Sequence, residues 1–147
     1  MFDVLFRESK GKPVTYKGRL VQRIDTLTVH PKSHIALSFE AAKGHYRQGV
    51  RIKSNGYVTV ADEKLRDFVL WTDTAPPVVK LTAGPRTTEL KIWNCWDHGD
   101  GVTQAWLNGG AMIVEKLKSG ARKYCCNDGL PNDDFNDLVF ILDGLVT

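Results

Sequence analysis

Apolar residues along this chain alternate with polar ones far more often than they recur at helical spacing. In TELKIWN (88–94), Leu90 and Ile92 face one way and Lys91 and Trp93 the other; in GYVTVA (56–61), Tyr57, Thr59 and Ala61 oppose Val58 and Val60. Similar runs rich in Val, Ile, Thr, Phe and Trp predict strands over 2–7, 18–25, 26–30, 34–41, 48–53, 56–61, 67–73, 78–83, 88–94, 102–108, 111–117, 121–126 and 137–143. Turn signals such as KGKP, HPKSH, SNG, APP, AGPR, DHGDG, NGG and KSG separate them. The one weak helical stretch, ADEKLRDF (61–68), predicts a single turn beginning after Asp62. Half-buried strands at this spacing, with no crossover helices between them, predict an all-β fold: an antiparallel β-sandwich, jelly-roll-like.

Length adds that one domain, 1–147, is enough, since a chain of 147 residues buries roughly 68–70% of its unfolded surface. With 42% hydrophobic and 25% charged residues the composition is that of a folded globular domain. The net charge of +3 comes from scattered cations, among them Lys10, Lys17, Arg23, Arg47 and Lys53, with no dense basic patch of the kind nucleic acid requires. No run of 18 apolar residues predicts a membrane span, and MFDVLFRESKGKP does not read as a secretory leader. Cys95, Cys125 and Cys126 make an odd count and lack a CxxC or a His pair, so buried free thiols are expected and zinc is not. On a strand Cys125 and Cys126 face opposite sides, which leaves at most one able to meet Cys95.

Charge is informative in one place. Between Asn127 and Asp137, the eleven residues NDGLPNDDFND hold Asn127, Asp128, Asn132, Asp133, Asp134, Asn136 and Asp137 and then run straight into an apolar strand. That segment carries −4 within a chain of net +3, so its repulsion needs an explanation. Asn and Asp form turns by bonding their own backbone, which accounts for NDG at 127–129. It does not account for 132–137, where oxygen ligands crowd a strand start with no neighbouring Lys or Arg in sequence. Hard oxygen donors in this number suit Ca²⁺, which takes six to eight of them, better than zinc or copper. Asn132, Asp134, Asn136 and Asp143 match EF-hand positions one, three, five and twelve, but Asp137 replaces the required glycine and no helices flank the loop, so an EF-hand is excluded.

The segment NDGLPNDDFNDLVF (127–140) resembles the closing stretch of the calcium-dependent bacterial lectins that bind fucose and mannose, which reads like DG-x-DNDYNDAVV. The resemblance implies that Asp134, Asn136 and Asp137 occupy calcium-ligand positions, that Phe135 replaces the aromatic between them and that Asn127 falls near an acidic ligand. Asn132 stands where that family has an aspartate, and one extra residue lies between Gly129 and Asn132, which makes Asp133 the alternative donor. This chain ends ten residues after Asp137, as the family's does, but with Thr147 in place of its terminal glycine. The implied function is a calcium-binding, carbohydrate-binding module of bacterial lectin type, with a homo-oligomer left open. The rival reading is a structural or protein-interaction domain whose calcium only staples the loop.

A second polar turn, WNCWDHGDG (93–101), offers Asp97 and Asp100 as additional ligands and Trp96 as a face on which a sugar could stack, against the plainer expectation of a polar hairpin with Trp93 and Trp96 in the core. Nothing resembles a nucleophile elbow, and carboxylates crowded beside amides look like ligands rather than an acid–base pair, so an enzyme is not expected. Calcium sites of the weaker extracellular kind, with Kd about 10⁻⁴–10⁻³ M, stay empty in resting cytosol. A leaderless chain with free thiols is therefore expected to be made in the cytoplasm and to act after lysis or non-classical release.

Overall fold

The computed structural model describes residues 1–131 and 133–145. It is all-β apart from one short helix, and every strand pairing is antiparallel. The chain opens with α1 (Phe2–Glu8), followed by the β1 (Val14–Tyr16) and β2 (Arg19–Val21) hairpin. Nine further strands form one continuous sheet: β3 (Asp25–Thr28), β4 (His34–Ala41), β5 (Arg47–Val60), β6 (Glu63–Trp71), β7 (Val78–Ala83), β8 (Glu89–Asp97), β9 (Ala111–Lys116), β10 (Arg122–Asn127) and β11 (Leu138–Asp143). The order is β3-β8-β5-β7-β4-β11-β10-β9, with β6 also on β5.

β5 makes the architecture. Its first half, Arg47–Ser54, pairs with β8, while Val58 and Thr59 pair with β7, and the register breaks between Lys53 and Val58. A strand that switches partners across a bulge turns a corner, so the two faces of the sandwich are limbs of one folded sheet. The far ends of the sheet approach each other as well: just before β3, Gln22 exchanges two backbone hydrogen bonds with Met112 of β9, at 2.8 and 2.7 Å. The result lies between a sandwich and a nearly closed barrel.

The inner faces obey the alternation read from sequence. Ile35 and Leu37, Val50 and Ile52, Val79 and Leu81, Leu90 and Ile92, and Leu138, Phe140 and Leu142 share one buried cluster with Met112, Tyr124 and Cys126. Tyr124 stacks on Phe140 with centroids 4.5 Å apart. Trp93, on the opposite face of β8 from Ile92, is buried too, because the 98–110 segment folds over it and brings Trp106 to 5.1 Å. All three cysteines are free thiols; Cys95 and Cys126 are buried and Cys125 is half-buried, as the strand geometry requires. Desolvation pushes the Cys95 thiol up to about 12 and Cys126 well above its ordinary range.

Several elements differ from expectation: 14–16 form β1, and 48–53 and 56–61, expected as two strands parted by an SNG turn, are the single strand β5. Residues 2–7 form α1 instead of a strand: Phe2 and Phe6, four apart, are both buried against Val21, Ala111, Ile113 and Phe135, while Val4 is 46% exposed. Residues 61–68 are not helical; Ala61 and Asp62, both at positive φ, form the tight turn between β5 and β6, as two-residue hairpins demand. The expected strand at 102–108 is irregular; among the described residues its backbone joins the sheet where Gln104 and Trp96 exchange hydrogen bonds, and Trp106 packs on Trp93. No described helix is long and apolar enough to cross a membrane.

The helix is open to direct test. Phe6→Ala should cost about 3–5 kcal/mol in a denaturant melt, because a buried aromatic is lost. Val4→Ala should stay within about 0.5 kcal/mol. A strand would place both residues on one face, so similar losses at both would contradict α1.

Candidate functional site

The acidic segment links β10 to β11, and its fold follows from its Asn and Asp side chains serving backbone donors. Asp128 Oδ1 accepts the Leu130 N–H at 2.9 Å, an Asx turn. The Asp128 N–H in turn donates to Asp137 Oδ2 at 2.9 Å, and the Asp137 N–H to the Cys126 carbonyl at 3.1 Å, which closes the loop at its base. Asn127 Oδ1 accepts the Phe135 N–H at 2.7 Å. Phe135 sits at φ +53°, a left-handed conformation that a bulky aromatic adopts only under constraint. The constraint is visible: its ring is 4% exposed and packs 5.7 Å from that of Phe2, so α1 and the loop share one small apolar core.

The floor of the loop comes from other strands. Gln48 of β5 donates from Nε2 to Asp128 Oδ2 and to the Tyr46 carbonyl, both at 3.0 Å. Asn94 of β8 donates to the Asn127 carbonyl at 2.7 Å. Gly44 donates its N–H to the Asp137 carbonyl, and a Cβ there would fall 2.3 Å from Gln48 Nε2 and 2.9 Å from the Asp137 Cβ. Only glycine fits between these side chains. Gln48 is 2% exposed, yet its Oε1 has no hydrogen-bond partner among the described residues. Asp128 is fully buried, and its described partners are two neutral donors, Gln48 and Leu130, with no cation within ion-pair distance among the described residues.

The predicted ligands therefore separate. Asn127, Asp128 and Asp137 lie inside, at 0%, 0% and 6% exposure; Asp134 and Asn136 point to solvent. Asp133 leaves the group: Lys17, from the β1–β2 turn, reaches its carboxylate at 2.7 Å and holds it below the usual carboxylate range. The sequence reading that no Lys or Arg compensates this stretch is thus corrected by a residue 116 positions away. Asn132 lies outside the described residues, as does Thr147. Among the described residues no group of three or more His, Cys, Asp or Glu stands close enough to hold a metal; beside the two buried carboxylates the remaining buried oxygens are amides, from Asn127, Gln48 and Asn94. That donor set is hard and oxygen-only, which fits calcium chemistry.

The second turn anchors itself. Asp97 Oδ1 accepts the N–H groups of Gly99 at 2.7 Å and Gly101 at 3.2 Å, which holds its carboxyl below the usual range, and Asp100 Oδ1 accepts that of Val102. Neither aspartate bonds to any described residue of the acidic loop. Trp96 is fully buried, wedged against Gly110 and Gly129, where a Cβ would come within 2.5 and 3.0 Å of its ring. It offers no open face; it sets the base on which the acidic loop begins. Its Nε1–H donates to His98 Nε2 at 3.0 Å, and the His98 ring lies tilted against that of Tyr46 with centroids 4.3 Å apart, so the 42–46 and 98–101 loops meet beside the start of the acidic loop at one end of the sheet.

No protein-family model matches the chain, and no curated protein matches it. Among solved structures, a Chromobacterium violaceum lectin in complex with α-methyl-fucoside is similar over 82% of this chain and 94% of that one, at 15% identity and a TM-score of 0.37. At that distance nothing is carried over from it.

The Trp96–His98 bond makes a prediction about this end of the fold. His98→Phe keeps a ring against Tyr46 but leaves a buried indole N–H without an acceptor, which should cost about 1–3 kcal/mol in a urea melt and shift tryptophan emission. His98→Gln, which can still accept, should recover most of the loss.

Proposed function

We propose that the Asn127–Asp137 loop binds Ca²⁺ and that the domain uses this end of the sheet to recognise carbohydrate. The observation that carries the metal is the pairing of a fully buried, cation-free Asp128 among the described residues with the unpartnered Oε1 of Gln48, the side chain bonded to it. A buried carboxylate without counter-charge is costly, and a buried amide oxygen without a donor loses its own desolvation energy. One cation answers both. Asp137, coupled to Asp128 through its backbone N–H, and the solvent-facing Asp134 and Asn136 supply further oxygens on the same loop. The carbohydrate part rests on the resemblance of 127–140 to the closing stretch of calcium-dependent lectins and on polar groups left facing solvent beside the loop.

Binding rather than catalysis is the reading, since the loop carboxylates are held by backbone N–H groups and Cys95 and Cys126 are buried thiols kept protonated. Release into a calcium-rich surrounding completes the proposal, because weak sites fill only there.

Calcium at 100 times Kd should stabilise the native state by about 2.7 kcal/mol. For a domain of this size that raises the melting temperature by roughly 5–11 °C, and magnesium should do much less. Asp134→Ala should reduce the response without changing the chelated protein. Asp128→Asn should abolish it; in the chelated protein the removal of a buried charge is offset by the loss of one of the two acceptors that Gln48 and Leu130 use. A melt that ignores millimolar calcium would sink the metal. A glycan array with calcium and with chelator tests the second half: calcium-dependent binding supports the lectin reading, and silence in both conditions transfers the domain to the calcium-stapled interaction class.

A further inference from the structure

Away from the acidic loop, the two ends of the sheet leave a gap. Among the described residues β3 pairs with β8 alone, and β9 pairs with β10 and meets the other end of the sheet at the Gln22–Met112 bridge. A cavity of about 510 Å³ lies there, lined by Thr26, Leu27 and Thr28 of β3, Lys116 and Leu117 at the end of β9, and Arg122 of β10, with Gly120 and Leu145 completing it. Among the described residues no acidic side chain lines it. The free edge of a strand turns half its backbone N–H and C=O groups outward, so β3 adds main-chain donors to this wall.

The cations are placed in an unusual way. Lys116 and Arg122 are direct cross-strand partners, a like-charge pair in which Arg122 has Asp25 as its counter-ion and Lys116 has no ion-pair partner among the described residues. Arg122 is fixed from behind: its Nη1 reaches both oxygens of Asp25, at 3.2 and 3.0 Å, and Asp25 is held by the Tyr124 hydroxyl at 2.6 Å. The Asp25 side chain is 6% exposed and that of Arg122 is 23% exposed. The contrast with Arg51 is informative. Arg51 places its Nε and Nη2 on the two oxygens of Asp67, at 2.9 and 3.0 Å, and so spends its fork on a carboxylate within the protein. Arg122 contacts Asp25 through Nη1, and its Nε–Nη2 edge, the geometry that recognises phosphate or carboxylate in two parallel hydrogen bonds, has no partner among the described residues. Neither the Lys116 ammonium nor the hydroxyls of Thr26 and Thr28 bond to another described residue.

We infer that this seam is an anion site for a tetrahedral oxyanion, a phosphate or sulfate group, gripped by the free edge of Arg122 with Lys116 and the threonine hydroxyls. Asp25 and Tyr124 are positioning residues that lock the guanidinium, and the cavity has room beyond the oxyanion for whatever carries it.

The test is a titration with inorganic phosphate at low ionic strength in the presence of chelator, so that it is independent of the acidic loop, read by the Arg Nε–H signals in NMR. The Arg122 signal should shift and saturate. Arg122→Lys, which keeps the charge opposite Asp25 but removes the fork, should weaken binding tenfold or more, and Lys116→Ala several-fold, each with an unchanged dispersion pattern elsewhere. Lys64→Ala, over Tyr57 on β6, should match wild type. Glucose 6-phosphate binding tighter than phosphate would assign a phosphorylated ligand, and equal binding a free anion; both support the site. No saturation at Arg122, or equal weakening by Lys64→Ala and Lys116→Ala, would overturn it.

Discussion

A fourteen-residue strand that serves both limbs of the sheet must break its own ladder somewhere, and the groups freed there must find partners. In β5 that happens at Gly56 and Tyr57, and the partners of Tyr57 are one hydroxyl and the Gly84 N–H, the latter 2.9 Å from its carbonyl. Thr87, fully buried in the turn before β8, accepts the Tyr57 N–H at 3.0 Å and donates to the Tyr57 carbonyl at 2.6 Å. Asn55 adds its Oδ1 as acceptor for the N–H groups of Thr88 and Glu89. Gly56 is required because a Cβ would come within 2.6 Å of that same hydroxyl. With the corner clasped, Val50 and Ile52 face the core from one limb and Val58 from the other, and the remaining strands need only continue the pairing.

The same strand delivers Gln48 to the loop end. Gln48, Val50, Ile52 and Ser54 form its buried register, and Leu90, Ile92, Asn94 and Trp96 form that of β8. Both registers turn polar as they approach the acidic loop. A hydrophobic core thus passes without interruption into a polar one, whose amides orient the loop backbone through Asp128 and Asn127. The loop is consequently held from three directions: by Gln48 and Asn94 beneath, by Gly44 beside Asp137, and by Phe135 anchored against Phe2.

Alternation made most of the fold legible, because burial of one face imposes period two on every strand. It misled at residues 2–7, where Phe2, Val4 and Phe6 satisfy a strand and Phe2 with Phe6 satisfies a helix; the docking of α1 decides, and docking is not local. It misled at Ala61 and Asp62, where alanine is a poor residue for positive φ and Asp62, with no glycine after it, is a weak turn signal alone. The oxygen-rich loop was visible as composition, but which oxygens go inside was not. Lys17 on Asp133 joins chain segments far apart, and Gln48 and Asn94 belong to strands that meet only after folding. Their one signal was a polar residue in a buried register, QGVRIK and KIWN read on the core parity.

The buried thiols give the molecule a property unrelated to binding. With burial pushing the Cys95 thiol up to about 12 and Cys126 well above its ordinary range, both stay protonated at neutral pH. Thiolate is the species that alkylating reagents and oxidants attack, so in the folded protein these sulfurs are chemically silent. They become reactive when the sheet opens, whereas half-buried Cys125 answers to smaller fluctuations near the surface. The chain therefore carries two internal clocks of different depth, one timing the breathing of β10 and the other the loss of the whole fold.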